Sequence, residues 1–345
     1  MRHPASPRTL LPALLSALVL VLAGCGQGQS GSGPADDELV VYSGRNSALV
    51  KPLLDRFAAS TGTKLFVRYG GDSATTAAAL AEEGVRTPAD VFFSQDAGAL
   101  GALGAQGRLD PLPPELLERV DARYRATDGT WIGTSGRARV LVYDPQQVAA
   151  SDLPDSVFDL TDARWRGKVG YAPTNASFQA FVTGLRELAG EDRARAWLTG
   201  MKANDIRAYD NNVRVLDAVE RGEVAVGLIN HYYWYEKAAE VGQDKVHSRL
   251  HYLPGDPGGL VNVAGVGVLR GTDKGAQARR LVEFLLTPES QRYFAEQTKE
   301  YPLVEGVPLD EELPPLSRLD PPALDLARLS SLQRTQELLR EVGLS

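Results

Sequence analysis

Cysteine is almost missing: the 345-residue chain holds one, Cys25. An intramolecular disulfide is therefore excluded, and a single thiol cannot assemble a thiolate metal cage. Histidine is scarce, with four in all, and His3, His247 and His251 have no neighbours that suggest a site. Basic runs are missing too. The formal charge is −7, and it becomes −9 once the two arginines and no acids of the first 24 residues are set aside. Recognition of nucleic acid needs clustered Lys and Arg to neutralise phosphates, so that class is excluded. No apolar run reaches the roughly 20 residues of a bilayer span. Nor is there a Gly-x-Ser-x-Gly elbow, a His-Glu-x-x-His pair or a phosphate-binding glycine loop, so an enzyme is not expected. No internal repeat is visible. What remains is an acidic globular composition, 43% hydrophobic and 23% charged, long enough for two ordinary domains.

The N-terminus is more informative. Arg2 and Arg8 precede an apolar stretch, Leu10 to Ala23, interrupted only by Pro12 and Ser16. That length suits the core of a signal peptide over residues 1–24. It runs into Leu22-Ala23-Gly24-Cys25, which resembles a bacterial lipobox. The resemblance implies cleavage before Cys25, lipidation of its sulfur and an extracytoplasmic, membrane-anchored location. Buried acyl chains contribute roughly 0.8 kcal/mol per methylene to such an anchor. Residues 25–37 are rich in Gly, Ser and Gln and read as a flexible tether.

From Glu38 onward the hydrophobic pattern alternates as in an α/β protein. Strands are expected at Leu39–Tyr42, Lys64–Tyr69, Asp90–Ser94, Val140–Tyr143, Val169–Tyr171, Val224–Ile229 and Val263–Leu269. Helices are expected around Leu49, Leu53, Leu54 and Phe57, and over 73–83, 178–189 and 213–221. Leucines at 326, 329, 332, 338 and 339 suggest a C-terminal helix capped by Asp325 and stopped by Gly343.

In open α/β sheets ligands bind outside the carboxyl ends of strands. Polar clusters follow several of these strands: Tyr42-Ser-Gly-Arg45-Asn46, Ser94-Gln95-Asp96, Tyr143-Asp144, and Asn230-His231-Tyr232-Tyr233-Trp234-Tyr235. Five aromatic or imidazole side chains in a row are dense for a structural turn.

In this order, the segments Val41-Tyr-Ser-Gly-Arg45, Pro88 to Gly98, Ser135-Gly-Arg137-Ala-Arg139 to Tyr143, Ala172-Pro-Thr-Asn175-Ala-Ser-Phe178, Gly222 to Trp234, and the endings at Tyr301 and Leu338 resemble the bacterial ferric-iron-binding periplasmic proteins. The resemblance covers nearly the whole mature chain. It implies the two-lobe type II periplasmic-binding fold, with one lobe formed by 38–119, 124–138 and 263–312 and the other by 120–123, 139–262 and 313–345. It also implies a monomeric solute-binding subunit that serves the permease and ATPase of an ABC transporter, with hinge strands near 120–138 and 262.

By the same resemblance, Tyr143, Tyr232 and Tyr233 are the expected ligands of ferric iron, with a carbonate-like synergistic anion held by Arg45, Arg137, Gln95, Asn175 and Asn212. The chemistry is consistent. A hard trivalent ion favours anionic oxygen. A phenol with a reference pKa of about 10 needs such an ion nearby to become a phenolate at neutral pH. Arginine's planar fork suits a carboxylate-like anion. Asn175 and Asn212 could equally be turn residues bonded to local backbone. Many family members supply a histidine and a glutamate where this chain has Asn46 and Gln95, which resembles the branch relying on tyrosines and an anion. Asp96 reads as a helix cap rather than a ligand. His231 is not expected to ligate, and Tyr235 matches no motif. The same fold carries polyamines, phosphonates and thiamine, so these stand as alternative cargoes.

Overall fold

The computed structural model describes residues 33–309 and 313–345. Cys25, the leader and most of the tether lie outside the described residues.

The strands are β1 (Leu39–Ser43), β2 (Leu65–Tyr69), β3 (Val91–Ser94), β4 (Leu109–Asp110), β5 (Ile132–Tyr143), β6 (Val169–Tyr171), β7 (Arg207–Ala208), β8 (Val226–Asn230), β9 (Arg249–His251), β10 (Val261–Leu269) and β11 (Tyr301–Pro302). They form a path β2-β1-β3-β10-β5-β8-β6-β7. At one end β1 pairs in parallel with β2 and β3, and at the other β6 pairs in parallel with β7 and β8. Between them β10 and β5 run antiparallel to their neighbours.

Strand β5 belongs to both halves. Its first part, Ile132–Ala138, pairs with β10, and its second part, Arg139–Tyr143, pairs with β8 and β9. The sequence pattern revealed only residues 140–143 of this strand. Ahead of them, Gly133, Thr134, Ser135, Gly136, Arg137 and Arg139 break any period-2 pattern, yet every residue from Ile132 to Val142 is buried. Neighbours on both edges and both faces explain this. A Cβ at Gly133 would lie 2.6 Å from the Tyr124 carbonyl oxygen, so only glycine lets the backbone in.

Helices connect the parallel strands as the spacing predicted: Ser47–Thr61 buries Val50, Leu53, Leu54 and Phe57, and Ser73–Glu83, Ala176–Ala189 and Asn212–Glu220 follow their strands. The leucine-rich end differs from expectation. Asp325 caps a short 3-10 turn, Leu326–Ser330, and a separate helix, Leu332–Val342, ends at Gly343 with φ 74°. The break has a packing cause. The turn lies across helix Ala97–Ala105 in the first half, whereas Thr335 bonds Thr183, and Arg328 pairs with Glu187, on helix Ala176–Ala189 in the second. Residues 326–335 thus touch both halves, where the sequence reading placed all of 313–345 with one lobe.

Two glycines allow that approach. A Cβ at Gly98 would lie 2.6 Å from the Leu329 carbonyl oxygen, and one at Gly101 would lie 2.6 Å from the Ala327 carbonyl oxygen and 2.8 Å from its Cα. In an exposed helix Gly→Ala gains about 1 kcal/mol. At position 101 the sign should reverse, because backbone cannot yield as a side chain can. Gly101→Ala is expected to lower unfolding stability by about 1–3 kcal/mol in a denaturant titration. An equal or more stable variant would show that the 326–330 turn is not held against the helix.

Candidate ferric site

The carboxyl ends of the parallel strands in both halves converge on one cavity of about 370 Å³. From the first half come Gly44 and Asn46 after β1, Gly71, Asp72 and Ser73 after β2, and Gln95 and Asp96 after β3. From the second come Asn175, Ala176 and Ser177 after β6, and Asn230, Tyr232 and Tyr233 after β8. The middle of β5 supplies Arg137 and Arg139, and Leu260 and Asn262 lie just before and at the start of β10.

Each loop turns directly into a helix. Asn46, Asp72, Asp96 and Asn175 accept bonds from Ala48, Thr75, Ala99 and Ser177 backbone N–H groups. The pair Tyr232-Tyr233 opens helix Tyr232–Val241. Five helix N-termini therefore face the cavity, and their partial positive charge favours anions there. Asp96 is the expected cap, and burial pushes its carboxyl above the ordinary range.

The rings of Tyr232 and Tyr233 lie 4.2 Å apart at 33°. Burial, then the neighbouring Tyr233, pushes the Tyr232 phenol well above 10, so it stays protonated until a cation arrives. Their tilt and position come from the residue before them. His231 is fully buried, its Nδ1 accepts from the Ala138 backbone N–H at 3.2 Å, and its ring stacks on Tyr301 at 4.6 Å. Burial drives the imidazole down to about 4, so it remains neutral. It faces away from the cavity, in line with the sequence reading, and ties the start of the helix to β5. Tyr235 is likewise buried, edge-on to Trp234 and His231.

Arg137 and Arg139 both line the cavity. Arg137 donates through Nη2 to the Gln95 carbonyl, while Gln95 Oε1 is buried with no hydrogen-bond partner among the described residues. Arg139 donates to the Leu228 carbonyl at 2.7 Å and lies 3.3 Å from Ser177 Oγ and 3.4 Å from Asn230 Oδ1. Burial lowers its guanidinium to about 9, opposed by Tyr233 and Tyr232, so it keeps its charge at neutral pH.

Three expected site residues lie elsewhere. Tyr143 ends β5, opposite Val226 at the start of β8, whereas the tyrosine pair follows the end of β8. Because β5 and β8 are antiparallel, the carboxyl end of β5 points away from the cavity. Four residues beyond Arg139, Tyr143 is about 13 Å further along the strand, packed against the apolar cluster that contains Leu141, Trp165 and Val169. Arg45 is 2% exposed and does not line the cavity. It lies between the rings of Phe93 and Phe294, bonds Ser135 Oγ at 3.2 Å and pairs with Glu300 at 2.8 Å. Asn212 is fully buried behind the wall, where its Nδ2 donates to Ser177 Oγ and Asn175 Oδ1 at 2.9 and 3.2 Å. It braces that helix start and does not reach the cavity.

The sequence reading missed Arg139, Ser177, Asn262 and Glu236 as site residues; they line the cavity, as does Asn230 from the polar cluster after β8. Glu236 had a readable signal, because it follows the tyrosines by three and four residues and so shares their helix face. Burial, with the Glu300 charge adding to it, pushes its carboxyl up to about 7.

Comparison with known proteins gives the family and the fold. The bacterial extracellular solute-binding protein family matches residues 86–328. The chain is 35% identical to the Fe(3+)-binding periplasmic protein of Serratia marcescens, covering 97% of this chain and 98% of that protein. It is 35% identical to the major ferric iron-binding protein of Neisseria meningitidis, covering 90% and 94%. Among solved structures, iron-bound HitA from Pseudomonas aeruginosa superposes with a TM-score of 0.82 at 39% identity, covering 89% of this chain and 99% of HitA. The Trichodesmium protein in complex with iron and citrate superposes with a TM-score of 0.78 at 27% identity, covering 89% and 100%. The chain is therefore a bacterial extracellular solute-binding protein with the two-lobe type II fold. Within that class it belongs to the periplasmic ferric-binding proteins.

The position of Arg45 can be tested by stability. Burial raises the Glu300 carboxyl, but Arg45, Arg137 and Ser135 outweigh it and hold the group below its usual range. Its stabilising contribution is present above the unfolded value of about 4.3 and is lost as pH falls through the lower folded value. Arg45→Met should lower unfolding stability by about 3–5 kcal/mol, since it leaves a buried carboxylate short of a partner. The acid-unfolding midpoint should move to higher pH, with ferric affinity unchanged. A large loss of affinity at wild-type stability would return Arg45 to the site.

Proposed function

We propose that this protein captures ferric iron outside the cytoplasm through the phenolates of Tyr232 and Tyr233, together with a carbonate-like anion, and delivers it to the permease of an ABC importer. The observation that carries the reading is the close, tilted tyrosine pair opening a helix into a cavity that also receives two arginines. A trivalent cation supplies the charge that releases the phenol protons. Hard oxygen donors then match its preference.

Arg137, Arg139, Gln95 and the helix starts at Asn175 and Ser177 would hold the anion. A guanidinium fork and the partial positive charge of a helix start suit a small planar oxyanion, and the Trichodesmium relative was solved in complex with iron and citrate. Asn212 supports that wall from behind. Tyr143 is outside this ligand set, because of its place on the far end of β5.

The halves meet at β5 near Ala138 and at the start of β10, and the hinge strands read from sequence near 120–138 and 262 would bend there. Closure about these strands would enclose the ion, as in other periplasmic binding proteins. The lipobox-like Cys25 would anchor the protein at the membrane beside its permease. Among the described residues no helix is long and apolar enough to span a bilayer.

A visible absorption titration of the mature domain with ferric citrate and bicarbonate tests the reading. A phenolate-to-iron charge-transfer band should saturate at one iron per protein. It should vanish in the Tyr232→Phe, Tyr233→Phe double variant and persist unchanged in Tyr143→Phe. A flat wild-type spectrum with no thermal stabilisation by iron would reject ferric capture. A Tyr143→Phe protein without the band would restore Tyr143 as a ligand. Arg139→Gln should keep the phenolate band yet weaken the bicarbonate dependence of iron binding, and an unaltered dependence would remove Arg139 from the anion site.

A further inference from the structure

With Tyr143 outside the cavity, two phenolates face an ion of charge +3, and one anionic protein ligand is missing from the set that sequence suggested. Resting on the tyrosinate reading above, we infer that Glu236 is the third protein ligand of the iron.

Helix geometry places it well. At 3.6 residues per turn, about 100° per residue, Tyr232 and Tyr233 project at roughly 0° and 100°. Glu236, four residues after Tyr232, projects at roughly 40°, between the two phenols on the same face. Helical side chains lean toward the N-terminus, so the Glu236 carboxylate is directed back over the turn that carries the tyrosines. All three residues line the cavity.

Elimination among the cavity acids points the same way. The lining contains three carboxylates: Asp72, Asp96 and Glu236. Both oxygens of Asp72 are engaged by Thr75, through its backbone N–H and its hydroxyl at 2.8 Å each. Asp96 caps the helix after β3 through Ala99 N–H. Glu236 has neither an intraprotein hydrogen bond nor an ion pair among the described residues, although it is half-buried. A half-buried carboxylate without a protein partner is unfavourable unless the partner arrives from outside. The nearby cations do not serve it: Arg137 bonds the Gln95 carbonyl, and Arg139 bonds the Leu228 carbonyl.

Charge balance then closes. Two phenolates and one carboxylate offset the ferric charge, and Arg137 and Arg139 remain to offset the accompanying anion. The inner set would be hard oxygen throughout, supplied by one helical turn, with no histidine.

The test compares wild type, Glu236→Gln, Glu236→Asp and the Tyr232→Phe, Tyr233→Phe variant, each titrated with ferric citrate in bicarbonate, with affinity read by citrate competition. In Glu236→Gln the charge-transfer band should persist, because both phenolates remain. Its maximum should move to longer wavelength, because an ion that loses an anionic donor accepts phenolate charge more readily. Affinity should fall by about tenfold or more. Glu236→Asp, which keeps the charge on a shorter stem, should fall between the two. A Glu236→Gln protein whose band maximum matches wild type, and whose affinity lies within about twofold of it, overturns the assignment of Glu236 alone. A wild-type protein that binds iron without any such band overturns the tyrosinate reading on which it rests.

Discussion

The arrangement of the site depends on strand β5 being shared by two half-sheets. A strand hydrogen-bonded on both edges cannot shift its register without losing both ladders. Its partners change from β10 to β8 between Ala138 and Arg139, and the two arginines that flank this change face the cavity. The same strand receives His231 through Ala138, and His231 sets the start of the tyrosine helix. β5 and β10 both cross between the halves near this point, so the two cavity-lining arginines are covalently adjacent to the crossing.

A buried polar network supports that strand from the side away from the cavity. Glu300 accepts from Arg45 at 2.8 Å and from Ser135 at 2.7 Å, with Arg137 Nε 4.0 Å away. Buried ion pairs are a weak source of net stability compared with apolar packing. Here the network gives geometry, because it fixes Ser135 and Arg137 on one strand through side chains from distant parts of the chain. Arg137 consequently has two neighbours of opposite use: Glu300 behind it and the cavity in front.

Most of the α/β framework was legible in the sequence. β1, β2 and β3 and the helices after β1 and β2 fell where the apolar spacing put them, because β1 and β3 are simple buried runs, β2 is a short half-buried one, and each of those helices buries one face. β5 was mostly hidden. Gly133, Gly136 and two arginines lie where a strand pattern would show alternating apolar residues, and their burial depends on what surrounds them. The C-terminal leucines gave a helical period but not the break at Ser331, which arises where the chain passes from Gly98 and Gly101 to Thr183.

The sequence alone determined which chemistry is present: an adjacent tyrosine pair following one strand, two arginines just ahead of another, Asp96 as a helix cap, and one cysteine placed in a lipobox-like motif. These are local facts, carried by residue type and short spacing. Only the tertiary structure decided which of those groups meet. The antiparallel course of β5 against β8 removes Tyr143, the Glu300 ion pair keeps Arg45 inside, and packing behind Ser177 withdraws Asn212, while Arg139 and Glu236 come forward. Strand direction and burial are set by contacts between segments far apart in the chain, so no motif read along one segment contains them.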